Sequence, residues 1–328
     1  MDSLIFALNA VMPIIILVAI GYLLKRMGWV DATFAKTANK LVFHLFLPVM
    51  LFLNVYKIEG LQNIEIASIL YSVIALVAVF LLAIPLVMML SKRGDQRGVL
   101  WQASFRSNYA LIGIPLTQSL FGDAGLAVSA LMSVAVIPAI NVLAVVCLST
   151  FNSEGKRPSV KSVLLGILKN PLIQSVGLGI LALCVRALFV QWGVEFRLTD
   201  IKPVYTAMGW LSNLATPLAL IMLGAQFEFS AVSSLKKEIT FGVLMRTVIV
   251  PALCIGCAFL FFRNRFSGAH FAAFVSVFAT PVSVSSVPMT QEMGGDAALA
   301  GQLVVWTTLV SSLSIFTVSF LLRMAGVF

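Results

Sequence analysis

Long apolar runs, separated by short polar stretches, make up almost the whole chain of 328 residues. A helix needs about 20 predominantly apolar residues to cross a bilayer. Such runs predict ten membrane spans, at roughly 4–24, 38–56, 64–90, 98–120, 124–150, 164–190, 204–228, 238–262, 270–291 and 297–323. The longest polar stretches, Asn152–Lys161 and Gln191–Lys202, are too short for a soluble domain. The pattern therefore predicts an all-α integral membrane protein.

The composition supports this class. Hydrophobic residues make up 60% of the chain and charged residues only 11%, whereas a soluble domain carries about 25% charged residues. The first apolar run has no basic residues before it, and Lys25 and Arg26 follow it, so we interpret it as a span and not as a signal peptide. The pair Cys254 and Cys257 has no histidine or acid nearby, which favours small buried apolar residues over a metal or redox site.

The net charge of +9 indicates an orientation in the membrane. Most Lys and Arg residues fall in four stretches, at 25–40, 92–97, 156–169 and 236–237, which ten spans place on one side. By the positive-inside rule, this side is cytoplasmic and both termini lie outside. We therefore expect a multi-pass protein of the cell inner (plasma) membrane, in contact with its lipids.

A segment of fourteen residues occurs twice, 173 positions apart, as Ile114–Ala127 and Val287–Ala300, with eight identical positions. Three further pairs keep register in earlier spans: Pro13 with Pro171, Gly21 with Gly179, and Pro48 with Pro217. Because five spans separate the equivalent positions, the second copy enters the membrane from the opposite side. The sequence thus predicts two inverted five-helix repeats, 1–150 and 164–328, joined by a short cytoplasmic linker at 151–163.

Spans 4 and 9 are both interrupted. Because Pro115 cannot donate a backbone hydrogen bond and Gly113 is flexible, we expect Gly113–Pro115 to unwind. Span 9 has two prolines with three hydroxyl side chains between them: Pro281, Ser283, Ser285, Ser286 and Pro288. Non-helical backbone at membrane depth is tolerated only where it is buried in protein or lines a cavity. The pattern predicts that helices 4 and 9 are broken, cross near the midplane and present N–H groups to an anion.

The motif formed by Asn108, Gly113–Leu116 and Gly122 resembles the fourth-helix signature of the auxin efflux carrier family, within the bile acid and auxin carrier superfamily. Pro13–Asp31 and Asn39–Phe52 resemble the first two helices of bacterial members, and the resemblance covers essentially the whole chain. It implies ten helices in two inverted repeats, with a scaffold of helices 1, 2, 6 and 7 and a transport domain of helices 3–5 and 8–10. Members move organic anions, such as auxin in plants and malonate or related carboxylates in some bacteria.

The resemblance implies that Asn108 contacts the substrate. Its amide offers two donors and one acceptor; the alternative is an asparagine that satisfies carbonyls freed by the break. The equivalent position in the second repeat is Pro281, so the two halves differ chemically, and nearby hydroxyls are candidates there unless each bonds its own helix. The candidate substrate-binding residues are Asn54, Arg106, Asn108, Tyr109, Gly113, Pro115, Asn213, Thr280, Pro281, Ser283, Ser285, Ser286 and Pro288.

Other polar residues within the spans leave alternatives open. Asn54 and Asn213 either face the site or bond neighbouring helices. Arg106 and Arg246 are candidate positive charges for an anion, although Arg106 is also placed to snorkel to the interface. His44 is a candidate proton relay, but no carboxylate partner is visible for it, which favours a structural role.

Two aspartates, Asp123 and Asp296, follow glycine and precede apolar helices, so we interpret both as N-caps and not as ion ligands. The two histidines, His44 and His270, cannot form a metalloprotease motif, and aspartates are missing from span interiors, so no enzyme and no cofactor are expected.

The sequence predicts a secondary transporter that moves a small carboxylate anion, such as malonate, malate or an auxin-like acid, by alternating access. The alternatives are a sodium-coupled organic anion symporter of the bile acid type and an anion channel. Sodium or protons stay open as coupling ions, and a homodimer stays open. No nucleic-acid partner is expected.

Overall fold

The computed structural model describes residues 2–57, 66–151, 165 and 168–328, and the side chains from residue 12 onward. The linker predicted at 151–163 lies, beyond Phe151, outside these residues. The described chain is helical, and its β-structure is a single isolated bridge. The main helices are α1 Asp2–Arg26, α2 Ala32–Tyr56, α3 Ile66–Leu90, α4 Gly94–Phe105, α5 Tyr109–Thr150, α6 Pro171–Gln191, α7 Lys202–Gln226, α8 Lys236–Phe262, α9 Gly268–Phe278, α10 Ser286–Glu292 and α11 Ala297–Met324. Two short helical turns, Leu198–Asp200 and Ser230–Ser234, lie between them.

Seven helices of the described chain are long and apolar enough to cross a membrane: α2, α3, α5, α6, α7, α8 and α11. The predicted all-α class is confirmed, and these helices are typical of a multi-pass membrane protein. Predicted span 4 corresponds to α4 and the start of α5, and predicted span 9 corresponds to α9 and α10.

Spans 4 and 5, predicted as separate helices, share α5. The chain bends at Phe121 and Gly122, and Gly122 has φ +56°, a conformation that glycine adopts without strain. The side chain of Asp123 is exposed and makes no capping hydrogen bond, so its prediction as an N-cap is wrong. The prediction for Asp296 is confirmed, because its carboxylate accepts a hydrogen bond from Leu299 N at 2.9 Å.

Three π-helical turns interrupt the longer helices, and each is followed two residues later by a proline. The pairs are Val42–Phe46 with Pro48, Tyr109–Gly113 with Pro115, and Met245–Ile249 with Pro251. A proline ring clashes with the carbonyl four residues earlier, and a wider turn moves that carbonyl aside. The prediction that Gly113–Pro115 unwinds is therefore wrong. The chain leaves the helix earlier, at Arg106–Asn108.

Glycines allow two helix pairs to pack closely. A Cβ atom at Gly21 of α1 would lie 2.0 Å from the carbonyl oxygen of Ile221 in α7. A Cβ atom at Gly179 of α6 would lie 3.2 Å from the carbonyl oxygen of Phe52 in α2. Small residues let helix backbones touch in a membrane, where packing drives helix association. These contacts join α1 to α7 and α2 to α6.

The cysteines are only partly buried. Cys254 is buried, as predicted, but the prediction for Cys257 is wrong, because it is exposed on the outer face of an apolar helix. Cys147 is buried and Cys184 is exposed. Three residues span about 300° of a helix with 3.6 residues per turn, so Cys257 lies only about 60° around α8 from Cys254. Cys257 is exposed because it lies beyond the edge of the buried face of α8.

Candidate functional site

The two interrupted helices meet at their breaks. α4 ends at Phe105 and α9 ends at Phe278, and a short non-helical segment follows each end before the next helix begins. Asn108 N donates a hydrogen bond to Pro281 O at 2.8 Å, and Ser283 N donates one to Arg106 O at 3.2 Å. This short antiparallel bridge satisfies backbone groups that would otherwise be unpaired in the apolar interior.

Arg246 of α8 binds the ends of both interrupted helices. Its guanidinium is fully buried. Nε donates to Thr280 O at 2.8 Å, and the two terminal nitrogens donate to Phe105 O at 3.2 Å and Val277 O at 2.7 Å. Carbonyls at a helix C-terminus carry partial negative charge, which the guanidinium neutralises. Arg246 therefore holds α4 and α9 together, in contrast to its interpretation as a charge for an anion.

A cavity of about 290 Å³ lies beside the breaks, between them and helices α2 and α7. Seven of the predicted site residues line it: Asn54, Arg106, Asn108, Tyr109, Asn213, Ser283 and Ser285. Six others do not line it: Gly113, Pro115, Thr280, Pro281, Ser286 and Pro288. The structure thus brings together residues of α2, α5, α7 and both breaks around one polar space.

The predicted residues outside the cavity shape the breaks. A Cβ atom at Gly113 would lie 2.9 Å from Ser276 O, so glycine lets α5 approach α9. Thr280 Oγ1 is buried and donates to Ser276 O at 2.7 Å. The Ser286 hydroxyl donates to Ser283 O, within its own turn. These side chains make local bonds and do not face the cavity.

The three remaining residues outside the cavity are prolines: Pro281 lies in the second break, where its carbonyl accepts from Asn108 N, and the other two lie near the starts of α-helical segments. Pro115 is exposed near the start of the α-helical part of α5, and Pro288 is buried in the first turn of α10. Proline is tolerated in a first helical turn, where its missing N–H has no partner to lose. Tyr109 does border the cavity, but its hydroxyl donates to Ser129 O at 2.7 Å, inside the protein.

Arg106 is the buried cation of the cavity. Only 1% of its surface is exposed, so the snorkelling alternative is wrong. Its terminal nitrogens donate to Gln102 Oε1 at 3.2 Å, Asn141 Oδ1 at 3.1 Å and Ser285 Oγ at 2.9 Å. The ion pairs in the described part of the chain join Arg93 to two aspartates and His44 to a glutamate, and none includes Arg106. A buried charge without a counter-ion is costly.

Unpaired polar groups concentrate at the first break. Five buried side-chain polar atoms lack a partner among the described residues: Asn39 Oδ1, Arg106 Nε, Ser107 Oγ, Asn108 Nδ2 and Ser319 Oγ. Three of them belong to consecutive residues that line the cavity. Because nearly all buried polar groups in proteins are hydrogen-bonded, such a cluster needs an explanation. Two of the three are N–H donors and the third is a hydroxyl, which suits an acceptor-rich ligand.

A family model described as a membrane transport protein matches residues 6–319. The chain belongs to this family, the auxin efflux carriers. This is a family of membrane transporters. The resemblance inferred from the sequence is thereby confirmed.

Two similar proteins come from archaea. An uncharacterized transporter of Methanothermobacter thermautotrophicus is 23% identical over 312 residues, which cover 94% of this chain and 95% of the relative. An uncharacterized transporter of Methanocaldococcus jannaschii is 27% identical over 254 residues, which cover 75% of this chain and 77% of the relative. Both support membrane transport as the class of function, and neither name specifies a substrate.

Several residues that line the cavity of this auxin efflux carrier family member were not predicted as site residues from the sequence: Ser107, Asn141, Ser212 and Thr216. Asn141 accepts a hydrogen bond from Arg106 and donates one to Ile137 O at 2.8 Å. A single asparagine within an apolar run was a usable signal, since polar residues inside membrane spans are functional candidates by default.

His44 has a carboxylate neighbour that the sequence did not reveal. Its Nδ1 lies 4.0 Å from Glu292 Oε2, which joins α2 to α10. The expectation that His44 has no acidic partner is therefore wrong, because the two residues are 248 positions apart and meet only in the fold. Among the residues that the structure describes, no three His, Cys, Asp or Glu side chains come together as a metal site.

Proposed function

We propose that this protein is a secondary transporter that carries a small organic anion with a carboxylate group by alternating access. One observation carries the proposal: Arg106 is buried beside the cavity without a counter-ion, next to unpaired groups of Ser107 and Asn108. A carboxylate offers about four acceptor positions and a negative charge. It would satisfy the unpaired donors and supply the missing counter-ion through charge-assisted hydrogen bonds.

Alternating access requires two related halves, and the close helix contacts support an inverted repeat. Gly21 contacts Ile221, and Gly179 contacts Phe52. Gly179 lies 158 positions after Gly21, the same offset that separates Pro171 from Pro13. Ile221 lies 169 positions after Phe52, the same offset that separates Pro217 from Pro48. The same contact therefore occurs twice, with the halves exchanged, as a pseudo-two-fold axis requires.

The broken helices support the same symmetry. α4 and α9 end at Phe105 and Phe278, which are 173 positions apart, the offset of the duplicated segment. Thr117 Oγ1 of the first copy lies 2.5 Å from a hydroxyl in α9, and Thr290 Oγ1 of the second copy accepts a hydrogen bond at 2.7 Å from Gln102 in α4. Each copy of the duplicated segment thus bonds the first half of the other broken helix. This supports a crossing of predicted helices 4 and 9, which comprise α4 with the start of α5 and α9 with α10.

The position of the cavity supports a division into two moving parts. Asn54 of α2 and Asn213 of α7 line it on one side, and the two breaks line it on the other. We assign α1, α2, α6 and α7 to a scaffold and the remaining helices to a transport domain. A solute bound between the two parts is exposed to alternate sides when they move against each other. Both termini lie outside in this proposal.

Uptake into proteoliposomes tests the function. Purified protein would be given radiolabelled malonate, malate or indole-3-acetate, with and without a sodium gradient or an imposed potential. We expect saturable flux of one anion, stimulated by the same anion on the opposite side. Replacing Arg106 by Gln or Asn108 by Ala should lower flux by at least about tenfold, since hydrogen bonds to charged groups are worth about 1.5–3 kcal/mol each.

Arg97→Gln is the matched control. Arg97 lies on the same helix, α4, outside the cavity, and its Nε donates to Ser91 O at 2.7 Å. Flux should be close to that of the wild type. If no carboxylate moves, the substrate assignment is wrong; if Asn108→Ala transports normally, the site lies elsewhere. Flux that rises linearly with concentration would indicate a channel, and a strict need for sodium would indicate a symporter.

A further inference from the structure

A second cavity, of about 250 Å³, lies between the end of α7, the short helix α10 and the start of α11. Gln226 and Gln291 both line it, and both contact Asn39, near the N-terminal end of α2. The first cavity borders the C-terminal half of α2, as far as Lys57. Because α2 is long enough to cross the membrane, the two cavities lie toward opposite membrane faces.

The barrier between the two cavities is thin. On α7 the first cavity reaches Ala219 and the second begins at Leu223, about one helical turn further on. On the opposite wall, Ser285 lines the first cavity and Val287 lines the second. Between them the side chain of Leu220 is 1% exposed. A single buried layer therefore separates the two spaces.

Beside this layer, polar side chains link α7 and α10, which line the second cavity, to α2. Asn39 is fully buried, and its Nδ2 donates to Gln226 Oε1 at 3.1 Å and to Gln291 Oε1 at 2.7 Å. We call these three residues the amide bridge. The contact between His44 and Glu292, at 4.0 Å, links the same two helices, α2 and α10, beside it. The oxygen of Asn39 has no partner among the described residues, so the bridge is incomplete as it stands.

We propose that the second cavity is the opposite-side entrance to the solute path, and that the amide bridge closes this entrance in the present conformation. The proposal rests on the proposed function and deepens it by naming the path and the residues that close it. Amides that separate regain hydrogen bonds with water, so such a closure opens at low cost. An apolar closure would instead expose hydrocarbon to water when it opened.

Thiol labelling tests the closure without any substrate. In a variant whose four native cysteines are replaced by alanine, Val287→Cys reports on access to the barrier through its reaction with a water-soluble methanethiosulfonate. Adding Asn39→Ala should raise the labelling rate by about tenfold, since two hydrogen bonds of the closed state are lost. Gln291→Ala should act in the same direction.

Gln302→Ala is the matched control. Gln302 is buried and lines the same cavity, but its Nε2 donates to Glu228 O at 2.8 Å and not to the amide bridge. The labelling rate should stay within about twofold of the reporter variant, since no bond of the amide bridge is lost. If neither Asn39→Ala nor Gln291→Ala raises the rate above this control, the proposal is wrong.

Cross-linking provides the second test. In proteoliposomes that transport an anion, a short bifunctional thiol reagent should arrest flux in Asn39→Cys/Gln291→Cys, reversibly with a cleavable reagent. In Asn39→Cys/Gln226→Cys the reagent joins two scaffold helices, so flux after treatment should equal the flux of the same variant before treatment. Equal effects on both pairs would contradict the proposal. If the untreated protein moves no carboxylate, the proposed substrate is at fault, and the labelling rates alone decide the closure.

Discussion

Arg246→Gln should destabilise the protein more than most other single substitutions. The guanidinium of Arg246 serves three buried carbonyls, those of Phe105, Val277 and Thr280. The shorter glutamine reaches at most one of them, and each buried polar group left without a partner costs about 1–3 kcal/mol. We therefore expect a loss of about 4 kcal/mol. Arg246→Lys keeps the charge and one or two of the bonds, so its loss should be about half as large.

Thermal unfolding of purified protein in detergent, followed by size-exclusion chromatography with fluorescence detection, measures this effect. A loss of about 4 kcal/mol corresponds to a fall in Tm of roughly 5–10 °C for a chain of this size. Arg263→Gln is the matched control. Arg263 is exposed, follows the last residue of α8, and donates to a single carbonyl, that of Ala325. Its Tm should change by about 1 °C or less.

Arg106→Gln should abolish transport while leaving Tm nearly unchanged. Arg106 is about as deeply buried as Arg246, and neither arginine has a counter-ion in the described part of the chain. Arg106 differs in that its partners are side chains and its Nε has no partner. Removing the charge of Arg106 relieves a desolvation cost, which offsets the loss of its hydrogen bonds to three side-chain oxygens. Two of these oxygens belong to Asn141 and Ser285, which line the cavity, where water can replace the guanidinium. Tm should therefore stay within about 2 °C of wild type while transport is lost. If Arg246→Gln keeps the wild-type Tm, or if Arg106→Gln falls as far as Arg246→Gln, the assignment of the two arginines is refuted.

Two further substitutions test the packing and the caps. Gly113→Ala should lower stability by about 1–3 kcal/mol, because its Cβ atom would lie 2.9 Å from Ser276 O; the readout is Tm, with Gly209→Ala as control, since a Cβ atom there meets open space. Asp296→Ala should cost about 1 kcal/mol by removing the cap of α11, whereas Asp123→Ala should leave Tm unchanged, and equal shifts would contradict the capping assignment.

The helices were predictable because an apolar run needs only local composition to be recognised. Span 3 was predicted at 64–90 and α3 is Ile66–Leu90; span 8 was predicted at 238–262 and α8 is Lys236–Phe262. A bilayer requires nearly every residue of a span to be apolar, so the signal accumulates over about 20 positions. No tertiary contact is needed to interpret it.

The break in span 4 was misplaced because the sequence shows where a helix is strained but not how the strain is resolved. Pro115 is accommodated by the π-helical turn that precedes it. The true break, Arg106–Asn108, contains neither proline nor glycine. It is held open by Pro281 O, which accepts from Asn108 N, and by Arg246, which binds Phe105 O. Both partners lie more than 130 positions away, beyond the reach of any local pattern.

Prediction of the candidate site from the sequence was limited for the same reason. In the sequence, Arg106 and Arg246 are alike, since each is a single basic residue within an apolar span. The fold gives Arg246 three carbonyls and leaves Arg106 with an unpaired nitrogen beside a cavity. Arg246 binds three backbone carbonyls through all three nitrogens, whereas Arg106 binds three side-chain oxygens through two nitrogens and keeps an unpaired Nε. The kind of acceptor, and the nitrogen left over, therefore separate a structural arginine from a candidate ligand-binding one. Both depend on residues from both repeats, so they exist only once the two breaks have met.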